Sequence, residues 1–141
     1  MIKRTATSVW NGAGKDGNGH LTTQSGILHH TPYSFNMRFG EAAGTNPEEL
    51  IAAAHSGCFN MAFAFTLNAE GFTADTLTTK ATVTIENDGS GFTVTLVHLD
   101  LKAKIPTISE DQFQELAEKA KATCPISRLL NTVIMMDASL V

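Results

Sequence analysis

The chain has 141 residues, which suits one domain, and its 43% apolar and 17% charged residues describe a chain that buries a core rather than staying disordered. A net charge of −4, with no run of lysine or arginine, speaks against a nucleic-acid partner. No apolar run follows Met1-Ile2-Lys3-Arg4-Thr5, so no secretory signal is read and the expected compartment is cytoplasmic. There, two cysteines are redox-active, metal-binding or simply buried sooner than a static staple.

In chain order, residues 5–10 are strand-like and residues 11–19 form a glycine-rich turn. Gly12-x-Gly14-x-x-Gly17 has the spacing of a dinucleotide fingerprint, which works only where a strand precedes it and a helix follows. Here the strand-like His20-Leu21-Thr22-Thr23 follows, so the run reads as a hairpin loop. A second strand is expected over residues 20–28. A third is expected over 33–39, where Phe35, Met37 and Phe39 alternate with polar neighbours. Thr45 or Asn46 can then cap a helix, Pro47 suits its first position, and Glu48 and Glu49 complement its dipole. It should run to about Glu70, with Gly71 ending it. Residues 50–69 lack charge and reach membrane-spanning length, but His55, Ser56, Asn60, Thr66, Asn68 and many alanines favour a helix buried on all sides within protein, with no membrane partner.

Leu77, Ala81, Val83 and Ile85 alternate with polar residues in a long strand, and Asn87-Asp88-Gly89-Ser90-Gly91 makes a hairpin turn. In the next strand Phe92, Val94 and Leu96 share one parity and Val97, Leu99, Leu101, Ala103 and Ile105 the other. That predicts a β-bulge between Leu96 and Val97. Ser109 and Gln112 form a capping box for a helix carrying Leu116 and Ala120. It stops near Thr123, because Pro125 disfavours helix at Cys124. A short helix over 125–131 and a strand over 133–140 complete a β-β-β-α-β-β-α-α-β order, an α+β fold.

Cys58 lies mid-helix, where it fits a small buried hydrophobe as well as a nucleophile. Burial raises a thiol pKa and the dipole helps little there, so a reactive Cys58 needs an external cation. Cys124, at the N-terminal edge of the short helix, is locally the more acidic thiol. Arg38, on an apolar segment, is either an ordinary solvated or ion-paired arginine or that cation, and a carboxylate would aim it through a bidentate fork. His29 and His30 would leave a strand on opposite faces, a poor chelating pair. Zinc would have to draw on Cys58, Cys124 and His55; none are spaced like a finger, although His55 and Cys58 can share a helix face. No metal is expected.

Gly44-Thr45-Asn46-Pro47-Glu48-Glu49-Leu50-Ile51-Ala52-Ala53-Ala54-His55-Ser56-Gly57-Cys58-Phe59 is similar to the first-cysteine signature of the osmotically inducible protein C (OsmC) / organic hydroperoxide resistance family. Ser25-Gly26, followed by Pro32-Tyr33-Ser34-Phe35-Asn36-Met37-Arg38-Phe39, resembles the OsmC branch. Ala122-Thr123-Cys124-Pro125-Ile126-Ser127 resembles the second-cysteine segment. The resemblance spans the chain in order. It implies a single domain over residues 1–141, with antiparallel sheets around two central helices, in an interwoven homodimer.

The same resemblance implies a thiol peroxidase that reduces organic hydroperoxides, and hydrogen peroxide less well, in oxidative or osmotic stress defence. Cys58 would be the peroxidatic thiol, Cys124 the resolving thiol, Arg38 the stabilising cation and Glu48 its carboxylate, with the neighbouring Glu49 the weaker candidate. A desolvated Arg38 would outweigh the partial helix charge at Cys124. Ten residues of helix rise about 15 Å, so Glu48 would act through Arg38 or from a partner subunit. No bound cofactor is implied. A dithiol reductant, with a lipoylated protein suggested, would reopen the Cys58–Cys124 disulfide. Phe39, Phe59, Met61 and Phe63 fit equally as apolar walls for an alkyl substrate or as core. A non-enzymatic redox-sensing or binding dimer with inert core cysteines, and a metal module, are the competing readings.

Overall fold

A computed structural model describes Met1–Val141 and divides by its internal contacts into two units, residues 1–50 and 51–141. In the first, β1 (Ala6–Asn11) and β2 (Asn18–Thr23) form an antiparallel hairpin, and β3 (Thr31–Tyr33) pairs with the other edge of β2. The glycine run closes this hairpin: the Gly17 N–H donates to the Ala13 carbonyl at 2.7 Å, and a Cβ at Gly17 would collide with that oxygen. The dinucleotide spacing is therefore turn chemistry. β2 ends earlier than expected, because the Thr23 N–H reaches across a turn to the Leu28 carbonyl and Gly26 adopts φ +78°.

The expected strand over 33–39 is instead split between β3 and a short helix, α1 (Phe35–Phe39). Ser34 caps it, its hydroxyl accepting from the Met37 N–H at 3.2 Å. Phe35 and Phe39, four residues apart, bring their ring centroids to 5.0 Å. Five alternating residues are too few to separate a period of 2 from one of 3.6, and the cap decides.

The long helix α2 (Pro47–Ala69) begins where its caps place it. Asn46 Oδ1 accepts from the Glu49 N–H at 2.8 Å, while the Thr45 hydroxyl donates to the Glu49 carboxylate. At the far end Gly71, at φ +85°, donates to Asn68 O and Phe72 donates to Leu67 O, a Schellman closure.

In the second unit β4 (Thr76–Asn87) and β5 (Phe92–Lys104) form an antiparallel hairpin. Thr84 opposes Leu96 and Ile85 opposes Val94, which leaves Thr95 as the extra residue of a bulge, just before the expected site. Beyond it Val97, Leu99, Leu101 and Ala103 are all fully buried on one face. The chain then runs through α3 (Glu110–Thr123) and α4 (Pro125–Leu129) to β6 (Val133–Leu140). β6 pairs with β5 in parallel, so this sheet is mixed, not wholly antiparallel as expected. The two helices carry the chain back to the starting end of β5, which is what a parallel neighbour requires. The element order differs from the expected one only by α1.

Phe113, Leu116, Ala117 and Ala120 form the inner stripe of α3 and meet Phe59, Phe63 and Leu67 of α2 over the β5 face. Phe63 sits between Phe59 and Phe113 at ring centroid distances of 5.9 and 6.0 Å. Asn60 ties α2 to β4, donating to Leu77 O and accepting from the Thr79 hydroxyl at 2.6 Å.

Within a single chain α2 is buried along one stripe only. His55, Phe59, Phe63 and Leu67 face the core, whereas Ala54, Gly57, Met61 and Phe65 look outward, Met61 66% and Phe65 70% exposed. The elements of one small chain cover a single stripe of so long a helix. α2 is long and apolar enough to cross a membrane by length and composition, yet its inner stripe belongs to a core shared with α3 and β5.

Candidate active site

Pro125 places Cys124 at a junction. Its N–H still closes α3 on Ala120 O, while its carbonyl accepts from Arg128 in α4. The Cys124 side chain is completely buried against the α2–α3 core. Its sulfur lies 2.9 Å from that of Cys58, and both residues are free thiols, with Cys124 placed as the donor. A disulfide, at about 2 Å, would require the sulfurs to close by only about 1 Å.

Burial pushes the Cys58 thiol up, and the Cys124 sulfur beside it adds to the rise, whereas the Ile126 backbone N–H draws it down. Proline has no N–H, so the first amide available from α4 is that of Ile126, and it serves Cys58.

Cys58, Met61, Ala62, Phe65 and Pro125 line a cavity of about 240 Å³. Cys58 is partly exposed there, whereas Cys124 is sealed. Met61 is thus beside the thiol. Phe59 and Phe63, its neighbours in sequence, are not: both are fully buried and serve as core, so they present no wall to a ligand. The helix explains the division, because residues 3, 4 and 7 after Cys58 share its side while Phe59 starts the opposite stripe. Ala62 and Phe65 could have been found by that periodicity, and Pro125 only by folding.

His55 lies one turn before Cys58 and is wholly buried, and burial lowers its pKa. Its Nε2 is 2.7 Å from the Ser127 hydroxyl, one turn after Cys124. Sequence reasoning assigned this pair no role. Its only trace is the matched spacing of His55-x-x-Cys58 and Cys124-x-x-Ser127.

Arg38, at the end of α1, meets Glu48 in the first turn of α2. Its Nε donates to both carboxylate oxygens, at 3.1 and 3.0 Å, and its Nη2 to Oε1 at 2.6 Å. Glu48 is 8% exposed and belongs to the same chain as Arg38. Glu49 is turned to Thr45 instead. The Arg38 guanidinium lies 5.0 Å above the Phe39 ring centroid. Trp10, Tyr33, Phe35, Arg38, Phe39 and Pro47 surround a cavity of about 140 Å³, so Phe39 borders the cation.

His29 and His30 lie in the turn between β2 and β3 and not on a strand. His30, at φ +48°, stacks on His20 at 4.6 Å. No three His, Cys, Asp or Glu side chains are grouped to hold a metal ion.

The family profile described as OsmC-like protein matches residues 40–138. Peroxiredoxin OsmC of Escherichia coli (strain K12) is 40% identical over 139 residues, 99% of this chain and 97% of that one. The crystal structure of the organic hydroperoxide resistance protein OhrB of Bacillus subtilis matches with a TM-score of 0.75 over 96% of this chain and 98% of the other, at 26% identity. That of an organic hydroperoxide resistance protein from Elizabethkingia anophelis matches with a TM-score of 0.78 over 100% and 98%, at 27% identity.

Proposed function

The chain belongs to the OsmC family, and from that premise we propose that it is a thiol-dependent peroxidase reducing organic hydroperoxides, and hydrogen peroxide less well, in oxidative or osmotic stress defence. The observation that carries this is the pair of free thiols 2.9 Å apart, one facing an apolar cavity and the other sealed behind it. The Cys58 thiolate attacks the outer peroxide oxygen. The O–O bond breaks, the alkoxide takes a proton and leaves as an alcohol, and Cys58 becomes a sulfenic acid. Cys124 then attacks that sulfur and water departs. A dithiol, with a lipoylated protein as the proposed donor, reopens the disulfide by two exchange steps.

Because burial disfavours ionised Cys58, the thiolate needs a positive charge. We assign that role, and stabilisation of the oxygen charge developing in the transition state, to Arg38 aimed by Glu48. In this assignment residues 1–141 act as one catalytic domain, working in the cytoplasm without a bound cofactor. Met61 and Phe39 are its substrate-facing residues. A homodimer is part of the proposal, since the outward Met61 and Phe65 call for a cover.

Variants of the two cysteines test the assignment. Cys58→Ser should abolish hydroperoxide consumption with dithiol, while Cys124→Ser should leave a sulfenic acid that a diketone reagent traps. Wild-type turnover by Cys58→Ser would remove Cys58 from the chemistry. Retention of both thiols after peroxide treatment of the native protein would point to an inert pair instead.

A further inference from the structure

We propose that the His55–Ser127 hydrogen bond is the latch that holds the resolving thiol against the peroxidatic one, which makes His55 and Ser127 positioning residues for disulfide closure. The inference rests on the peroxidase assignment above. α4 has only five residues, no buried residue and no side-chain cap, so it has little stability of its own. Something must fix it against α2, because Cys124 is its N-cap.

Ile126 packs against the core and its amide serves Cys58, and two side-chain ties join α4 to α2. Cys58 meets Cys124 at 2.9 Å, and His55 meets Ser127 at 2.7 Å. Each tie is one turn from the other on both segments, and the segments run in opposite senses. A fixed His55–Ser127 contact therefore sets where Cys124 falls along α2. The imidazole is fully buried and its Nδ1 has no partner, so Ser127 supplies its one hydrogen bond. Loss of Ser127 from that buried position would leave both ring nitrogens unsatisfied, which opposes breaking the contact.

The latch matters most at one step. When Cys58 is oxidised, the thiol–thiol contact is lost, and His55–Ser127 is the side-chain tie that remains. The Cys124 sulfur then attacks the Cys58 sulfur: the S–S bond forms, the S–O bond breaks, and the oxygen leaves with the Cys124 proton as water. Misplacing an attacking group by about 1 Å can slow such a step by up to about a hundredfold.

Single-turnover experiments on the full-length protein with an alkyl hydroperoxide separate the steps. Sulfenic acid is followed by diketone trapping, and closure by loss of free thiols. For Ser127→Ala the ratio of the closure rate to the sulfenation rate should fall by about tenfold or more, measured at a temperature where the variant, although its melting temperature is lowered by the lost buried hydrogen bond, is still fully folded. Ser127→Thr keeps the hydroxyl and should restore the ratio. An alanine variant with the native ratio overturns the latch, whether both rates are unchanged or both fall together. So does a threonine variant as slow to close as the alanine one. If the native protein itself forms no sulfenic acid, the peroxidase assignment fails first and takes the latch with it.

Discussion

Glu48→Gln separates aiming of the cation from mere presence of a carboxylate nearby. The native fork has three contacts, from Nε to both oxygens and from Nη2 to Oε1. Glutamine keeps one acceptor and turns an NH₂ toward guanidinium N–H groups, so at least the 3.0 Å contact is lost along with the charge. A hydrogen bond to a charged group contributes about 1.5–3 kcal/mol. Glu48 is nearly buried, but the Arg38 side chain is 37% exposed, and solvent screening discounts the pair toward the lower half of that range. A loss of about 2 kcal/mol of transition-state stabilisation corresponds to about a 30-fold fall in kcat/KM. Stopped-flow consumption of cumene hydroperoxide, with the dithiol saturating, measures it. Glu49→Gln is the control, because its carboxylate only accepts from Thr45 and is exposed; its kcat/KM should stay within about twofold of native. Native kcat/KM in Glu48→Gln, or equal losses in both variants, would refute the aiming role.

Arg38→Met should move the acid limb of the sulfenation rate to higher pH: the thiolate is the reactive form, burial already raises Cys58, and the countering charge is gone. A pH–rate profile with its limb unmoved would remove Arg38 from thiolate stabilisation. His55 titrates lower in the fold than its ordinary value of about 6.5. The unfolded chain therefore binds the proton more readily, and stability present above that value is lost as pH falls below it. Thermal melting between pH 7.5 and 5.5 should show that loss in the native protein and a flatter profile in His55→Asn. Phe63→Ala removes a fully buried ring packed on Phe59 and Phe113 and should cost about 3–5 kcal/mol in urea unfolding. A cost under about 1 kcal/mol would show that the site collapses to fill the void.

Much of the fold was legible because its signals are local. Asn46-Pro47-Glu48-Glu49 marks the start of α2, Gly71 its end, and Ser109 the start of α3; each acts through atoms a few residues away. β6 falls on the expected residues, and the parity change in β5 lies one residue from its bulge. The misread segment, 33–39, is short, and there Ser34 and a Phe35–Phe39 contact outweigh alternation. The cysteine pair and Arg38 could be nominated from motif resemblance, but their geometry could not.

What the amino-acid order determined alone is where elements start, stop and turn, and which residue types carry redox chemistry. Only the tertiary structure decided which stripe of α2 faces inward, and so made Phe59 and Phe63 core while leaving Met61 beside the thiol. It also chose Glu48 over Glu49 as the partner of Arg38, aimed the Ile126 amide at Cys58, and joined His55 to Ser127 across 72 residues. The physical reason is range. Caps and turns are settled within about one helical turn, whereas burial and thiol pairing depend on segments that meet only after the chain has closed on itself.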